Sequence, residues 1–438
     1  MTNQQVGNPL VVLFLVVMVD MIGFGIIIPF LTFFIDDLAS AEGILEIGFW
    51  VAIMMAGYSL AQFLFSPFWG MLSDRVGRRP VIMMGLVGNT VFFTVFGLSS
   101  SLLMAFIARF LAGAANANIA VAKAYIGDIS DSSNLAKRMG LIGAAFGLGF
   151  TIGPFIGGEL SSPAEKWSFF QGTVFDTFPY LLPCVAASLL SLVSLFLAFS
   201  RLPESLEKQS RISIEHSGGV MLKEMFHDCI KVLRLPTIGT MILVGLLFTY
   251  GFTIMHAVFI LFTEMAPLEG GLGFSEAENG RIFAVIGLGG IVVQGGLIGP
   301  MTRKFGSPRL LGAGILITGL GLTLIPYVPS QSPWLPMILV VILIALGNGL
   351  FQPSYSSMLA GLARSQNHDL GLVMGAQESL GAFARILGPL TGGLVWDATF
   401  RSEGLFSKST VFHLCGLMMI IAFSLYSLVN TKKDLESE

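Results

Sequence analysis

Along most of this chain the apolar residues do not alternate with polar ones; they run on for twenty positions or more. Leu10 to Phe34 and Ile338 to Leu350 carry few or no charges. About 20 such residues in a helix cross a hydrocarbon core of roughly 30 Å. Loops and open sheet edges cannot face lipid, so the runs are expected to be helices. Apolar runs between polar breaks predict about twelve of them. In the first half they cover 10–34, 47–68, 81–99, 101–127, 138–159 and 177–199. In the second they cover 237–263, 279–299, 309–328, 335–361, 370–396 and 409–430. This is the pattern of an all-α polytopic membrane protein.

The longest polar stretch, 201–236, divides the chain into two parts, 1–200 and 237–438, each expected to form a six-helix bundle. Within that stretch MLKEMFHDCIKVL mixes apolar and charged residues at helical spacing, which predicts a helix lying along the membrane surface. About 17 Lys and Arg fall on the side that holds this central loop and both termini, and about four on the other. Both termini are therefore expected to be cytoplasmic. The first apolar run is longer than a signal-peptide core and no Lys or Arg precedes it, so it is expected to be retained as a span.

Short segments recur between the halves. GMLSDRVG at Gly70–Gly77 aligns with GPMTRKFG at Gly299–Gly306, and GPFIGG at Gly153–Gly158 aligns with GPLTGG at Gly388–Gly393. Two matches in corresponding spans indicate duplication, giving two six-helix pseudo-repeats in the same orientation. Parallel repeats with a binding site near the midplane between them are one architecture of secondary transporters.

Composition agrees with a membrane protein: 54% of the residues are hydrophobic and 12% charged, against about one quarter charged in soluble domains. The net charge of -3 and the dispersed basic residues exclude a nucleic-acid surface. Cys184, Cys229 and Cys415 are odd in number and far apart, so neither a disulfide framework nor a metal site is expected. A phosphate-cradling GxxxxGK[ST] loop is missing, and GLG at Gly147–Gly149 has Ile152 where a dinucleotide fingerprint needs its third glycine. No HExxH or nucleophile elbow points to an enzyme, and no cofactor is expected.

Between spans two and three, Asp74, Arg75, Arg78 and Arg79 crowd into six residues, with Gly70 before them and Gly77 among them. Positive charge there fixes topology, but topology accounts for neither Asp74 nor the glycines. With DMIGFGIIIP in span one, GMLSDRVGRRP after span two, RFLAG in span four, AYIGDIS at its end and GFTIGPFIGG in span five, the chain resembles the major facilitator superfamily almost end to end. Within that superfamily it is similar to the twelve-span drug/proton antiporters that include tetracycline efflux proteins. The resemblance implies the major facilitator fold, a cytoplasmic (inner) membrane location and action as a monomer. It also implies that the charged loop is a cytoplasmic latch: Asp74 would point at the N-terminus of span eleven, and Arg78 would reach Asp128. Gly70 and Gly77 would allow close approach and a sharp turn. The second-half copy has Arg303 where Asp74 stands, so a latch there would be degenerate.

Asp20 lies about ten residues into span one, roughly 15 Å deep and near the bilayer centre. An ionised carboxylate at that depth costs about 3 kcal/mol unless it faces a cavity or a partner. Such a group can exchange protons as its access changes, or it can brace the kink implied by Gly23, Gly25 and Pro29. Arg109 in span four is expected at similar depth, within reach of Asp20, and in the family the arginine of this RxxxG segment is linked to proton transfer. Making and breaking an Asp20–Arg109 pair would then switch proton affinity; a purely structural ion pair is the alternative. Glu378 and Arg385 in span eleven share one face two turns apart, Glu378 as a second proton-coupling candidate and Arg385 as a donor to backbone carbonyls. His256 and Lys123 are weaker candidates, one a packing residue and the other snorkelling.

Span five carries Ala145, Gly149, Gly153 and Gly157 at four-residue spacing, and Pro154 and Gly158 complete the segment that resembles the antiporter motif. Such a stripe permits close helix packing, and span eight, with Gly287, Gly289, Gly290, Gly295 and Gly296, is the expected partner. Asn116, Asn118, Gln294, Asn348, Gln352, Gln377 and Arg385 are polar positions expected to line a substrate cavity, with Tyr58, Phe146, Phe248 and Phe252 as aromatic walls. A mainly apolar site with a few polar anchors suits amphipathic organic molecules. The expectation is therefore export of a small organic compound in exchange for protons, with a proton-coupled importer of a small metabolite as the alternative and a non-transport membrane protein as the remoter one.

Overall fold

The computed structural model describes residues 9–116, 118–130, 132–206, 218–400 and 406–429. In the first half the helices are α1 (Pro9–Glu42), α2 (Ile47–Val76), α3 (Arg78–Gly97), α4 (Leu102–Ala115), α5 (Asn118–Asp128) and α6 (Ser132–Leu160). Two single turns, α7 (Pro163–Lys166) and α8 (Val174–Thr177), precede α9 (Leu181–Arg201). The second half comprises α10 (Gly218–Leu233), α11 (Pro236–Glu264), α12 (Glu276–Val292), α13 (Ile298–Phe305), α14 (Ser307–Leu324), α15 (Trp334–Ser365), α16 (Leu370–Thr399) and α17 (Thr410–Leu428). Among the described residues, eleven helical stretches are long and apolar enough to cross a bilayer. The 30-residue α16 is not one of them, because Gln377, Glu378, Arg385 and several glycines dilute its apolar residues.

Two of the expected spans are interrupted. Span four leaves the helical conformation at Asn116, after α4, and span eight passes through a π-helical turn at Val293–Leu297 between α12 and α13. Such departures are tolerated at membrane depth where neighbouring groups satisfy the freed backbone.

The chain divides into two compact units. One comprises 1–45, 57–218 and 275–284; the other comprises 46–56, 219–274 and 285–438. In the first, α1 packs on α6 and α9, and α3 on α4, α5 and α9. In the second, α11 packs on α16 and α17, and α14 on α15 and α17. The same neighbour pattern occurs twice, as duplication requires. Gly77 (φ 109, ψ 158) before α3 and Gly306 (φ 80, ψ 151) before α14 occupy matching turns. That backbone region is open essentially to glycine alone, which is why both copies keep it.

The small residues of α6 do not meet span eight along their length; they meet α1. A Cβ on Gly153 would lie 2.6 Å from the Ile22 carbonyl oxygen, and one on Gly157 would lie 2.8 Å from the Ile26 carbonyl carbon. Span eight enters only at the end of the stripe: Gly158 abuts Glu276 and Ala277, and Gly280 abuts the Pro154 carbonyl. Gly290, Gly295 and Gly296 have open space where a side chain would be. Within the second unit the repeat places Gly393 against Gly48 and Ala52 in the same manner. There Asp397 caps α2, its Oδ1 accepting from the Gly48 N–H at 3.0 Å and its Oδ2 from the Phe49 N–H at 2.7 Å. A carboxylate at a helix N-terminus satisfies orphan donors and complements the dipole.

The helix of the polar stretch, α10, packs within the second unit. It buries Cys229 and Val232, and Phe226 packs on Phe383 of α16 at 5.6 Å between ring centroids.

Candidate functional site

The break in span four organises the first unit's polar interior. Asn116 leaves the helical conformation (φ -79, ψ 80), and the Trp69 indole N–H donates to the freed Ala114 carbonyl at 2.6 Å. Gly113 lies on the Tyr58 backbone and Gly88 on the Ala115 side chain, so α2 and α3 close over the break. The two asparagines flanking it turn to different partners. Asn116 Nδ2 donates to the Tyr58 hydroxyl at 2.6 Å, and Asn118 Nδ2 donates to Asp20 Oδ1 at 3.1 Å.

Asp20 is buried, with 1% of its surface exposed. Its Oδ1 accepts a second amide, Asn89 Nδ2 at 2.9 Å, while Oδ2 has no hydrogen-bond partner among the described residues. Asn89 was not singled out from the sequence; its signal was a lone amide inside the apolar run of span three. Asn118, expected to line a substrate cavity, is committed to Asp20 instead.

The structure does not pair Asp20 with Arg109. The Arg109 guanidinium lies over the rings of Tyr58, at 4.5 Å, and Phe24, at 5.5 Å, a cation–π arrangement. Equal depth in two helices says nothing about rotation around their axes, and α1 turns Phe24, not Asp20, toward α4. Arg109 is 2% exposed, and its Nε and Nη1 have no hydrogen-bond partner among the described residues. Phe24 also contacts Tyr58 and Phe150, at 5.5 and 5.6 Å, so the cation sits in an aromatic frame.

At one end of the same unit, Arg78 gathers the charged loop. It pairs with Asp74 at 2.7 Å and with Asp128 at 3.1 Å, and it donates to Ser73 Oγ at 2.6 Å. Asp74 thus has a partner on its own loop. Glu204 caps α3, accepting from the backbone N–H groups of Arg78 at 2.8 Å and Arg79 at 3.2 Å. Arg79 Nη2 donates to the Phe199 carbonyl at 2.6 Å, and Arg75 is exposed. Gly77 makes the turn, but Gly70 sits in α2 with open space at its Cβ position, so close approach does not explain it.

In the second unit, Arg385 Nη2 donates to Glu378 Oε1 at 2.9 Å; the arginine serves its own helix neighbour and not backbone carbonyls. Both are partly exposed. Phe248 stacks on Phe351 at 3.6 Å and is fully buried, hence core and not cavity wall. His256 packs edge-on to Phe252. Gln294 and Gln352 are exposed, whereas Asn348 and Gln377 each bury an oxygen without a hydrogen-bond partner among the described residues.

A family model described as Major Facilitator Superfamily matches residues 13–389 and 295–437. The chain belongs to the Major Facilitator Superfamily. It is a secondary transporter whose relatives differ in what they carry. A probable peptide/nitrate transporter of Arabidopsis thaliana is 28% identical, the match covering 98% of this chain and 92% of the relative. The class C tetracycline resistance protein of Escherichia coli is also 28% identical, with 90% and 91% covered. The solved structure of a D-xylose–proton symporter superposes with a TM-score of 0.73 over 97% of this facilitator and 98% of that chain, at 15% identity, which shows the shared fold.

Proposed function

We propose that this facilitator exports a small organic compound in exchange for protons and that Asp20 carries the proton. The observation that supports this most is the state of the Asp20 carboxyl group. It is buried in a membrane-spanning helix, held through one oxygen by two neutral amides, and left with its second oxygen unpartnered among the described residues. Amide donors hold a carboxylate and a carboxylic acid alike, whereas a paired guanidinium would lock the group in its ionised form. The cradle therefore tolerates both proton-loaded and empty states. Inward movement of one elementary charge across 100 mV supplies about 2.3 kcal/mol, enough to drive export without a nucleotide.

The charged loop serves this cycle at the cytoplasmic side, where Arg78 ties α2, α3 and α5 together through Asp74 and Asp128. Glu378, paired with Arg385, is a second carboxylate for proton traffic. An organic compound as cargo is supported by relatives named for tetracycline and multidrug resistance. Export is supported by the span-five segment that resembles the antiporter motif.

The test is transport in proteoliposomes under an imposed pH gradient, with a panel of amphipathic organic compounds. Asp20→Asn should insert and melt like the unaltered protein yet lose gradient-driven transport. Undiminished gradient-driven movement in that variant removes Asp20 from the proposal. Reversing the gradient separates exchange from co-transport.

A further inference from the structure

We infer that Arg109 is an anion-binding subsite and that the compounds this transporter carries present a carboxylate, or a group of the same shape and charge, to it. The inference deepens the transport reading above and rests on it for passage of the compound, but not for binding.

A guanidinium at membrane depth is costly unless it faces an opposite charge, backbone carbonyls or a cavity. Arg109 is 2% exposed, and two of its three nitrogens, Nε and Nη1, have no hydrogen-bond partner among the described residues. Asp20, the nearest candidate in depth, makes no ion pair with it; its Oδ1 is held by Asn89 and Asn118. The rings of Tyr58 and Phe24 lie near the guanidinium and meet its charge, but a ring face is at most a weak acceptor and replaces no oxygen partner. The arginine is thus held in place by packing while its Nε and Nη1 donors have no hydrogen-bond partner among the described residues.

Beside it, Asn116 has spent its amide N–H on the Tyr58 hydroxyl and keeps a buried Oδ1 without a partner among the described residues. The frame therefore offers unused donors on a fixed positive charge, one unused acceptor, and two aromatic rings. That set fits an aromatic or otherwise apolar molecule with an anionic group and a nearby O–H or N–H donor. Arg is the side chain suited to carboxylate oxygens, because its planar donors are pre-organised and its charge is permanent.

The experiment measures binding in detergent solution, without a gradient. A panel of monocarboxylates running from benzoate to anthracene-carboxylate is titrated into the full-length protein, each acid paired with its primary amide. At least one carboxylate should bind 10- to 100-fold more tightly than its amide, the range set by charge-assisted hydrogen bonds. Arg109→Gln should bring the carboxylate down to the level of the amide, and Arg109→Lys should keep part of the preference. Asp20→Asn should keep all of it. Loss of gradient-driven transport in Asp20→Asn with the preference intact supports both proposals, whereas transport undiminished in that variant overturns only the proton assignment. If no carboxylate of the panel binds, or acids and amides bind alike in the unaltered protein, the anion subsite is refuted. If Arg109→Gln does not fold, the Arg109→Lys titration decides: an unchanged carboxylate-to-amide ratio there refutes it as well.

Discussion

Gly157→Ala is the sharpest test of the packing that carries Asp20. The added methyl would meet the Ile26 backbone of α1, with the carbonyl carbon at 2.8 Å and Cα at 3.0 Å. Carbon atoms at rest sit about 3.5–4.0 Å apart, and the Ile26 carbonyl oxygen is nearer still, so α6 and α1 must separate by more than about 1 Å. No flexible side chain is there to yield. Overpacking of this kind costs about 1–3 kcal/mol, while replacing glycine by alanine in a helix returns about 1 kcal/mol. A clash with rigid backbone lies at the upper end, which leaves a net loss of about 2 kcal/mol. Gly143→Ala in the same helix is the control, since nothing lies within 4 Å of its Cβ position and only the helical gain applies. The two variants should therefore differ by about 3 kcal/mol in reversible denaturation in mixed detergent micelles. Midpoints that agree within about 0.5 kcal/mol would show that the α1–α6 seam has slack, and the steric account of the glycine stripe would fail.

Two further outcomes follow from the turns and caps. Gly77→Ala should destabilise the protein by about 1–3 kcal/mol, because φ 109 with ψ 158 excludes a side chain, whereas Gly70→Ala should be neutral or slightly stabilising; equal melting temperatures would refute the distinction. Asp397→Asn should weaken the α2 cap by about 0.5–2 kcal/mol and speed amide exchange at Gly48 and Phe49; exchange rates that do not change would show the cap to be dispensable.

The helices, their approximate ends and the duplication were legible because long apolar runs and repeated glycine motifs are local signals. Interruption of span four was not, since Ala114 to Asn118 reads as ordinary helix until Trp69 is seen to take the Ala114 carbonyl. Depth along a helix can be counted from the sequence, and it put Asp20 and Arg109 at one level. Azimuth cannot be counted in the same way, so the partners of Asp20 turned out to be Asn89 and Asn118, one overlooked and one assigned to the cavity. Glu204 and Asp397 were passed over for a related reason. A carboxylate that caps a helix distant in sequence leaves no pattern near itself.

The short helix α5 bears Asn118 at its first residue and Asp128 at its last. Eleven residues make a rod about 16 Å long, pinned at opposite ends to Asp20 and to Arg78. The Asp20 carboxyl group and the charged loop thus rest on one and the same short element.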